Sequence, residues 1–270
     1  MFWPRSPYVR TELSKSCLSG LDSVEVRHAR QALLKSMRCA ATQLAGTDDD
    51  LEGNDQPAGR IDWSALRIPL SEVWLKSNAA VAEDRDQRDA CHEALYFNDL
   101  GHRFSPALRS GPLLIDLLLD FSQRLSGPRY RLLRMHPGRI VSEASAAPRF
   151  CNPLLIRHRL RRLCKQIKHK AVPNEVLPIF VQVSLLNIHP LRDGNGRFGR
   201  LAHNTCFAEM TGYRGYIPLI DAIKGSGGAF EIAVRQLELH QNWIPIIEFF
   251  TRFYSRLAGE SERLVAEKAA

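Results

Sequence analysis

Apolar residues recur every three or four positions along most of the chain, which is the spacing of amphipathic helices. The pattern predicts helices over residues 27–44, 63–81, 87–102, 113–125, 155–167, 176–188, 197–210, 230–240 and 246–257. The segment 176–188 has little polar face, so we expect this helix to be buried on most sides. The polar residues after Gly259 predict a frayed C-terminal tail.

Two stretches depart from helical spacing. Residues 130–153 contain three prolines, one of them in a Pro-Gly pair, which favours a short β-hairpin or an extended flap. Residues 47–61 are acidic and contain glycine and proline, which is typical of an exposed loop. The predicted fold class is therefore all-α, with a short β-hairpin flap.

Composition and charge narrow the class of protein. Of the 270 residues, 44% are hydrophobic and 24% are charged, which excludes an intrinsically disordered chain, a collagen and a disulfide-rich miniprotein. The 37 basic and 29 acidic residues leave a net charge of +8. This excess indicates an anionic partner, which a nucleic acid, a membrane surface or an anionic small molecule would each satisfy.

The cysteines and the most apolar stretch bear on location. The six cysteines form no C-x-x-C pair, so we expect reduced thiols and no structural zinc. The apolar stretch 176–188 is shorter than a membrane-spanning helix, and residues 1–5 lack the order of a signal peptide. These patterns favour a cytoplasmic protein with no membrane partner, and delivery as an effector stays open.

The stretch that carries chemistry is HPLRDGNGRFGR, residues 189–200, between two predicted helices. Proline after His189 disfavours continuation of the first helix. Two glycines within three residues allow positive φ and a close approach of the backbone to a ligand. The second helix opens at about residue 196, so its first N–H groups and its dipole point into the loop. Arg197 and Arg200 share one helix face near that end. This pattern predicts a phosphate site.

Two further side chains add reactivity to the loop. Asp193 supplies a hard oxygen ligand of the kind that holds Mg²⁺ against phosphates. His189 can take up a proton near neutral pH. A base, a metal carboxylate and a phosphate site within a dozen residues favour transfer of a group from a nucleotide. Any one of these residues fits an ordinary helix–loop–helix turn, but the complete string at this spacing does not.

The string resembles the signature of the Fic family, HPFx(D/E)GN(G/K)RxxR. It departs from that pattern once, because Leu191 replaces a phenylalanine that anchors the loop in the family. The order of the predicted elements is similar over about residues 95–255. The resemblance implies a mainly α-helical Fic fold, with an N-terminal helical region over 1–94, a catalytic core over 95–257 and a tail over 258–270.

The resemblance also implies an activity, the transfer of AMP from ATP to a Ser, Thr or Tyr hydroxyl of a protein. On this basis His189 is the general base and Asp193 holds Mg²⁺. The residues implied to bind phosphate are Gly194, Asn195, Gly196, Arg197 and Arg200, with the Asn195 side chain on the α-phosphate, Arg197 on the β-phosphate and Arg200 on the γ-phosphate. Glycine at 196, where some family members have lysine, favours adenylylation over transfer of another group.

The resemblance implies two further features, a target-binding flap and an inhibitory helix. The flap residues Arg139, Ile140, Val141 and Ser142 are expected to hold the target by backbone pairing, with an ordinary hairpin as the alternative. Many family members carry an inhibitory helix with the pattern (S/T)xxxE(G/N), whose glutamate pairs with the second motif arginine. We prefer the stretch 41–46 as its equivalent, where Ala45 replaces the glutamate and Arg200 is left for the γ-phosphate. Glu52 is the alternative clamp.

Other functions stay open at this stage. A Fic-fold protein without transferase activity would serve as a binding or antitoxin-type partner, and a homodimer is also open. Two other enzymatic functions are the transfer of another phosphate-containing group and the removal of AMP from a target. The resemblance implies that removal needs the inhibitory glutamate, so this function is less favoured if Ala45 replaces it. The run 157–170 holds seven Lys or Arg residues, which makes binding to a nucleic acid or to a membrane surface an alternative function. It lacks interleaved aromatic residues, so a solvated helix face is the preferred interpretation.

Overall fold

Helices make up most of the described chain, and their apolar stripes face a common core. The computed structural model describes residues 13, 18–45, 85–127, 132–136, 150–213 and 215–269. In these ranges the α-helices are α1 Val24–Ala45, α2 Arg85–Leu108, α3 Gly111–Ser126, α4 Ile156–Lys168, α5 Leu177–Ile188, α6 Asn195–Thr211, α7 Leu219–Gly225, α8 Ala229–His240 and α9 Ile244–Ala269. No β-strand is present in the same ranges beyond a single bridge residue, Tyr216. The all-α fold class is confirmed.

Three helices differ from the predicted ones. Helix α2 continues past residue 102 and through Pro106 to Leu108, because its apolar face stays buried at Phe104 and Leu108. Helix α7 was not predicted. Helix α9 runs through Gly259 to Ala269, where the sequence predicted a frayed tail. Packing of the preceding turns therefore outweighs the weak helix propensity of glycine and of the polar residues that follow.

Several predicted features lie outside the described residues. These are the helix over 63–81, the acidic loop over 47–61 and the flap residues 139–142. The described segments beside the flap, 132–136 and 150–152, are not helical, in agreement with the break in helical spacing.

The first and last helices pack against each other along their length. Ser36 of α1 and Ser255 of α9 share a hydrogen bond of 2.9 Å between their Oγ atoms. Leu33 and Met37 of α1 are buried in the same core as Tyr254 of α9. The predicted boundary between residues 94 and 95 falls inside α2, so it does not coincide with the end of an element.

Helices α5 and α6 form the centre of the fold and are joined by the loop that contains the motif. Every residue of α5 from Pro178 to Leu185 is buried, as its apolar composition predicts. At the start of α6, Phe198 packs between Phe121 of α3 and Phe104 of α2, with ring centroids 5.3 and 5.0 Å apart. These contacts fix where α6 begins and therefore where the motif loop lies.

Candidate nucleotide-binding site

The motif loop begins where α5 ends. His189 closes the helix in the left-handed region, with φ 49° and ψ 59°, and its N–H donates to the Leu185 carbonyl at 2.9 Å. Pro190 follows and cannot continue the helix. The predicted helix end at His189 is confirmed. A non-glycine residue in this conformation is strained, so the surrounding structure must hold it there.

Gly194 forms the turn into α6. Its φ is 84°, and it is the N-cap residue of the helix. A Cβ atom at this position would overlap Leu125 Cδ2 and lie 3.1 Å from Phe121 Cε1, both near the end of α3. Glycine is therefore required for its backbone conformation and for space. The first N–H groups of α6 have no acceptor within the helix and form the positive end of its dipole.

The Asn195 side chain closes the loop. Its Oδ1 accepts from the Leu191 N–H at 2.8 Å, and its Nδ2 donates to the Leu191 carbonyl at 2.8 Å. Leu191 is completely buried, so leucine fills the anchor position despite its smaller size. Both hydrogen bonds show that the Asn195 side-chain amide closes the loop. A contact between this amide and the α-phosphate stays a prediction.

Asp193 and Arg197 lie together on the outer side of the loop. The Asp193 carboxylate accepts from the Gly194 N–H at 2.6 Å and pairs with Arg197 Nη2 at 3.3 Å. The Asp193 side chain is 72% exposed and that of Arg197 is 22% exposed. An exposed carboxylate beside a helix N-terminus suits Mg²⁺ that arrives with phosphates and keeps several waters. In the described residues no group of three His, Cys, Asp or Glu side chains is arranged to hold a metal ion.

Arg200 is held by a buried carboxylate. Its Nε donates to Glu93 Oε2 at 2.9 Å, and its Nη2 pairs with Glu93 Oε1. Tyr216 donates its hydroxyl to the same carboxylate at 2.5 Å. Glu93 is fully buried in α2, and the Arg200 side chain is 10% exposed. The expectation that Arg200 is left available for the γ-phosphate is therefore wrong for this conformation.

Comparison with known proteins agrees with this geometry. Residues 112–207 match the model of the Fic/DOC family. This chain carries a Fic domain. The matched range contains the whole motif loop and is narrower than the predicted similarity over 95–255.

Two solved structures resemble the chain. A Fic family protein from Desulfovibrio desulfuricans G20 is 12% identical, with a TM-score of 0.55, over 99% of this chain and 78% of that one. A Fic domain containing signaling protein from Bacteroides thetaiotaomicron VPI-5482 is 11% identical, with a TM-score of 0.45, over 92% of this chain and 93% of that one. At these identities the first match supports the fold alone. A comparison with curated proteins finds no match.

The second motif arginine of this Fic domain pairs with Glu93, whereas the sequence predicted either no inhibitory carboxylate, with Ala45 at its position, or Glu52 as the clamp. Ala45 ends α1, and Glu52 lies outside the described residues. Glu93 was missed, although the sequence carried a signal. It shares one face of α2 with Phe97, Leu100 and Phe104, at spacings of four, seven and eleven. A glutamate on an apolar face is seldom buried without a partner, so this position indicates a paired carboxylate, and only the fold identifies Arg200 as its partner.

Two residues that contact His189 were also missed. The ring of Phe150 stacks on the His189 imidazole, with centroids 3.5 Å apart and an angle of 9° between the planes. Arg134 Nε donates to the His189 carbonyl at 2.9 Å. Both residues lie beside the predicted flap, where the lack of periodicity gave no indication of contacts.

The remaining candidate groups do not enter the site. Burial raises the pKa of the Cys164 thiol to about 12 and also raises that of Cys206, which favours the protonated thiols at neutral pH. The basic run forms α4, whose apolar residues Ile156, Leu160 and Ile167 are buried. Several of its basic residues therefore lie on a solvated helix face. Nucleic-acid binding by this face stays an untested alternative.

None of the helices in the described residues combines the length and the apolar character that crossing a bilayer requires.

Proposed function

We propose that this Fic domain is a protein adenylyltransferase, which transfers AMP from ATP to a Ser, Thr or Tyr hydroxyl of a target protein or of itself. The observation that supports the proposal is the loop from His189 to Arg197. It combines a histidine at the end of a buried helix, an exposed carboxylate and a glycine-capped helix N-terminus within nine residues.

The proposed reaction is a direct displacement at phosphorus. His189 accepts the proton of the target hydroxyl, and the hydroxyl oxygen forms a bond to the α-phosphorus of ATP. The bond from the α-phosphorus to the oxygen that bridges to the β-phosphate breaks, and pyrophosphate leaves. Backbone N–H groups at the start of α6 offset the charge that develops on the phosphate oxygens.

The charged side chains divide the phosphates between them. Arg197 would neutralise charge on the β-phosphate, and Asp193 would hold Mg²⁺, which would offset the negative charge of the phosphates. Because Asp193 and Arg197 already form an ion pair, the carboxylate and the guanidinium are prepositioned on one side of the loop. Arg200 would reach the γ-phosphate only after the pair with Glu93 opens.

The test uses ATP labelled at two positions. Incubation with Mg²⁺ and α-labelled ATP should label the chain or a lysate protein, and γ-labelled ATP should not. His189→Ala should abolish labelling and leave ATP binding within a few fold, because the base does not hold the phosphates. His158→Ala, at an exposed position on α4, is the matched control. Label from the γ position, or transfer that persists in His189→Ala, would refute the proposal.

A second candidate function has a specific observation in its favour. Arg200, the expected γ-phosphate ligand, is paired with buried Glu93, so the chain would bind partners through a Fic fold that is catalytically silent. The labelling assay with α-labelled ATP distinguishes the two functions. A silent protein would show no transfer at any enzyme concentration in both the unmodified chain and Glu93→Gln.

A further inference from the structure

Three consecutive carbonyl groups at the end of α5 accept hydrogen bonds from outside the motif. The Cys151 thiol donates to Ile188 at 3.1 Å. Arg134 Nε donates to the His189 carbonyl at 2.9 Å, and the Arg134 backbone N–H donates to Pro190 at 2.7 Å. The last carbonyls of a helix have no partner within it, so these bonds replace the missing ones at the residue that carries the base.

The Arg134 guanidinium donates mainly to backbone carbonyls, and its Nη2 also lies 4.0 Å from the Cys151 sulfur. Besides the His189 carbonyl, it donates to the carbonyls of His136 at 2.6 Å and Cys151 at 2.7 Å. The residue is 8% exposed, and in the described part of the chain no carboxylate pairs with it. Removing a guanidinium from water is costly, and hydrogen bonds to backbone carbonyls offset part of that cost. The rigid fork of the guanidinium does fit three carbonyls that point to one place.

Phe150 restricts the imidazole itself. The parallel ring at 3.5 Å covers one face of the His189 imidazole. Phe150 is 8% exposed and precedes Cys151, whose carbonyl and thiol take part in the bonds described above. The backbone and the side chain of the base are thus held by two neighbouring segments, 134–136 and 150–151.

We propose that Arg134 and Phe150 are positioning residues for His189. Arg134 holds its left-handed backbone, and Phe150 sets the plane of its ring. This inference rests on the proposed function, since it assigns the two residues to the same base. A misplaced base loses proton transfer and leaves phosphate binding in place. The variants are therefore expected to lose kcat and to keep the KM for ATP.

The test compares conservative and disruptive changes. Arg134→Lys keeps the charge but not the fork, and Phe150→Leu removes the stacked ring. Each should lower kcat by about 10- to 100-fold with KM for ATP nearly unchanged. Phe150→Tyr should retain most of the activity, because its ring stacks in the same way. The matched controls are Phe253→Leu, at a phenylalanine of equal burial, and Arg30→Lys, at an arginine that binds a carbonyl elsewhere.

A readout that needs no activity separates this inference from the proposed function. In NMR of histidine-labelled protein, with His189→Ala used for assignment, the His189 ring protons of the unmodified chain should show the upfield shift of a stacked ring. Their pH titration curve should move in Phe150→Leu and Arg134→Lys and stay in place in the two controls. An unmoved curve with unchanged kcat would overturn the positioning role. Absent transfer in the unmodified chain with a moved curve would refute only the proposed function.

Discussion

At the scale of single residues, Gly194 combines a positive φ with close neighbours. Its φ is 84°, and an added Cβ atom would overlap Leu125 and press on Phe121 unless the Leu125 side chain moved. Gly212 provides the matched comparison, because its φ is 81° and nothing lies within 4 Å of its Cβ position. The two glycines therefore differ in space and share a backbone conformation.

We expect Gly194→Ala to destabilise the protein by about 2–5 kcal/mol, since left-handed strain and overpacking against α3 add together. Gly212→Ala should cost about 1–2 kcal/mol, from strain alone. Urea unfolding measures both free energies, and ATP titration should show lost binding only in Gly194→Ala. Equal losses of stability in the two variants would mean that the clash is relieved by movement of Leu125.

A single buried residue, His203, makes the free energy of unfolding depend on pH. It is completely buried beside Tyr254, with 2.7 Å between Nε2 and the hydroxyl, and burial lowers its pKa to about 3. The unfolded state, with a pKa near 6.5, takes up the proton first as the pH falls. Stability is therefore complete above about pH 6.5 and is lost progressively down to about pH 3.

By pH 5 the expected loss is about 2 kcal/mol from this histidine. Urea unfolding at pH 7 and pH 5 measures it. His203→Gln keeps a hydrogen-bonding group at the position and removes the titration, so its free energy of unfolding should fall less over the same range. Identical pH slopes in the two proteins would exclude His203 as the source.

At the scale of elements, α2 brings Glu93 to α6, and the segment after α6 completes the cluster. Asn204 of α6 accepts from the Ile217 N–H at 2.7 Å and donates to the Ile217 carbonyl at 3.1 Å. This fixes the backbone next to Tyr216, whose hydroxyl meets Glu93. The ion pair between Arg200 and Glu93 is therefore built by three elements of the fold.

Glu93→Gln tests whether this pair competes with the γ-phosphate. If it does, the affinity for ATP should rise by about tenfold relative to ADP, because a charge-assisted bond to Arg200 is lost. Tyr216→Phe is the control, since it removes one hydrogen bond to Glu93 and leaves the ion pair intact. Calorimetric titration of both nucleotides gives the ratio. A ratio that stays constant while stability falls would make the pair structural.

At the scale of the whole molecule, the contact between α1 and α9 joins the two ends of the described chain. Leu33, in the middle of α1, is completely buried in the common core. A separate N-terminal domain would need a core of its own, whereas the buried residues of α1 belong to the same cluster as those of α5 and α6. We expect the described helices to unfold together.

Leu33→Ala should lower the free energy of unfolding by about 2–5 kcal/mol in a single transition, through the cavity it leaves. Far-UV circular dichroism and tryptophan fluorescence in urea should give coincident curves. The exposed neighbour Lys35→Ala should change the free energy by less than about 0.5 kcal/mol. An early transition seen by one probe alone would show that α1 unfolds independently.

The helices and the motif loop were predictable because their signals are local. The spacing of apolar residues located eight of the nine described helices, and it failed at α7, which is only seven residues long. The ends of α2 and α9 were misplaced because packing carried each helix through a proline or a glycine. The break after His189 and the turn at Gly194 follow from the backbone chemistry of proline and glycine, which needs no tertiary contact.

The sequence by itself determined the helical class, the motif loop and the ionisable and polar side chains that this loop contains. Tertiary structure alone decided which side chains surround them. Arg200 meets Glu93 across 107 positions of the chain, and Arg134 meets His189 across 55. Such contacts depend on how separate helices and loops pack, and no periodicity or local rule encodes them. The chemical groups of the loop are therefore set by the local sequence, whereas the partner of Arg200 and the orientation of His189 are set by the fold.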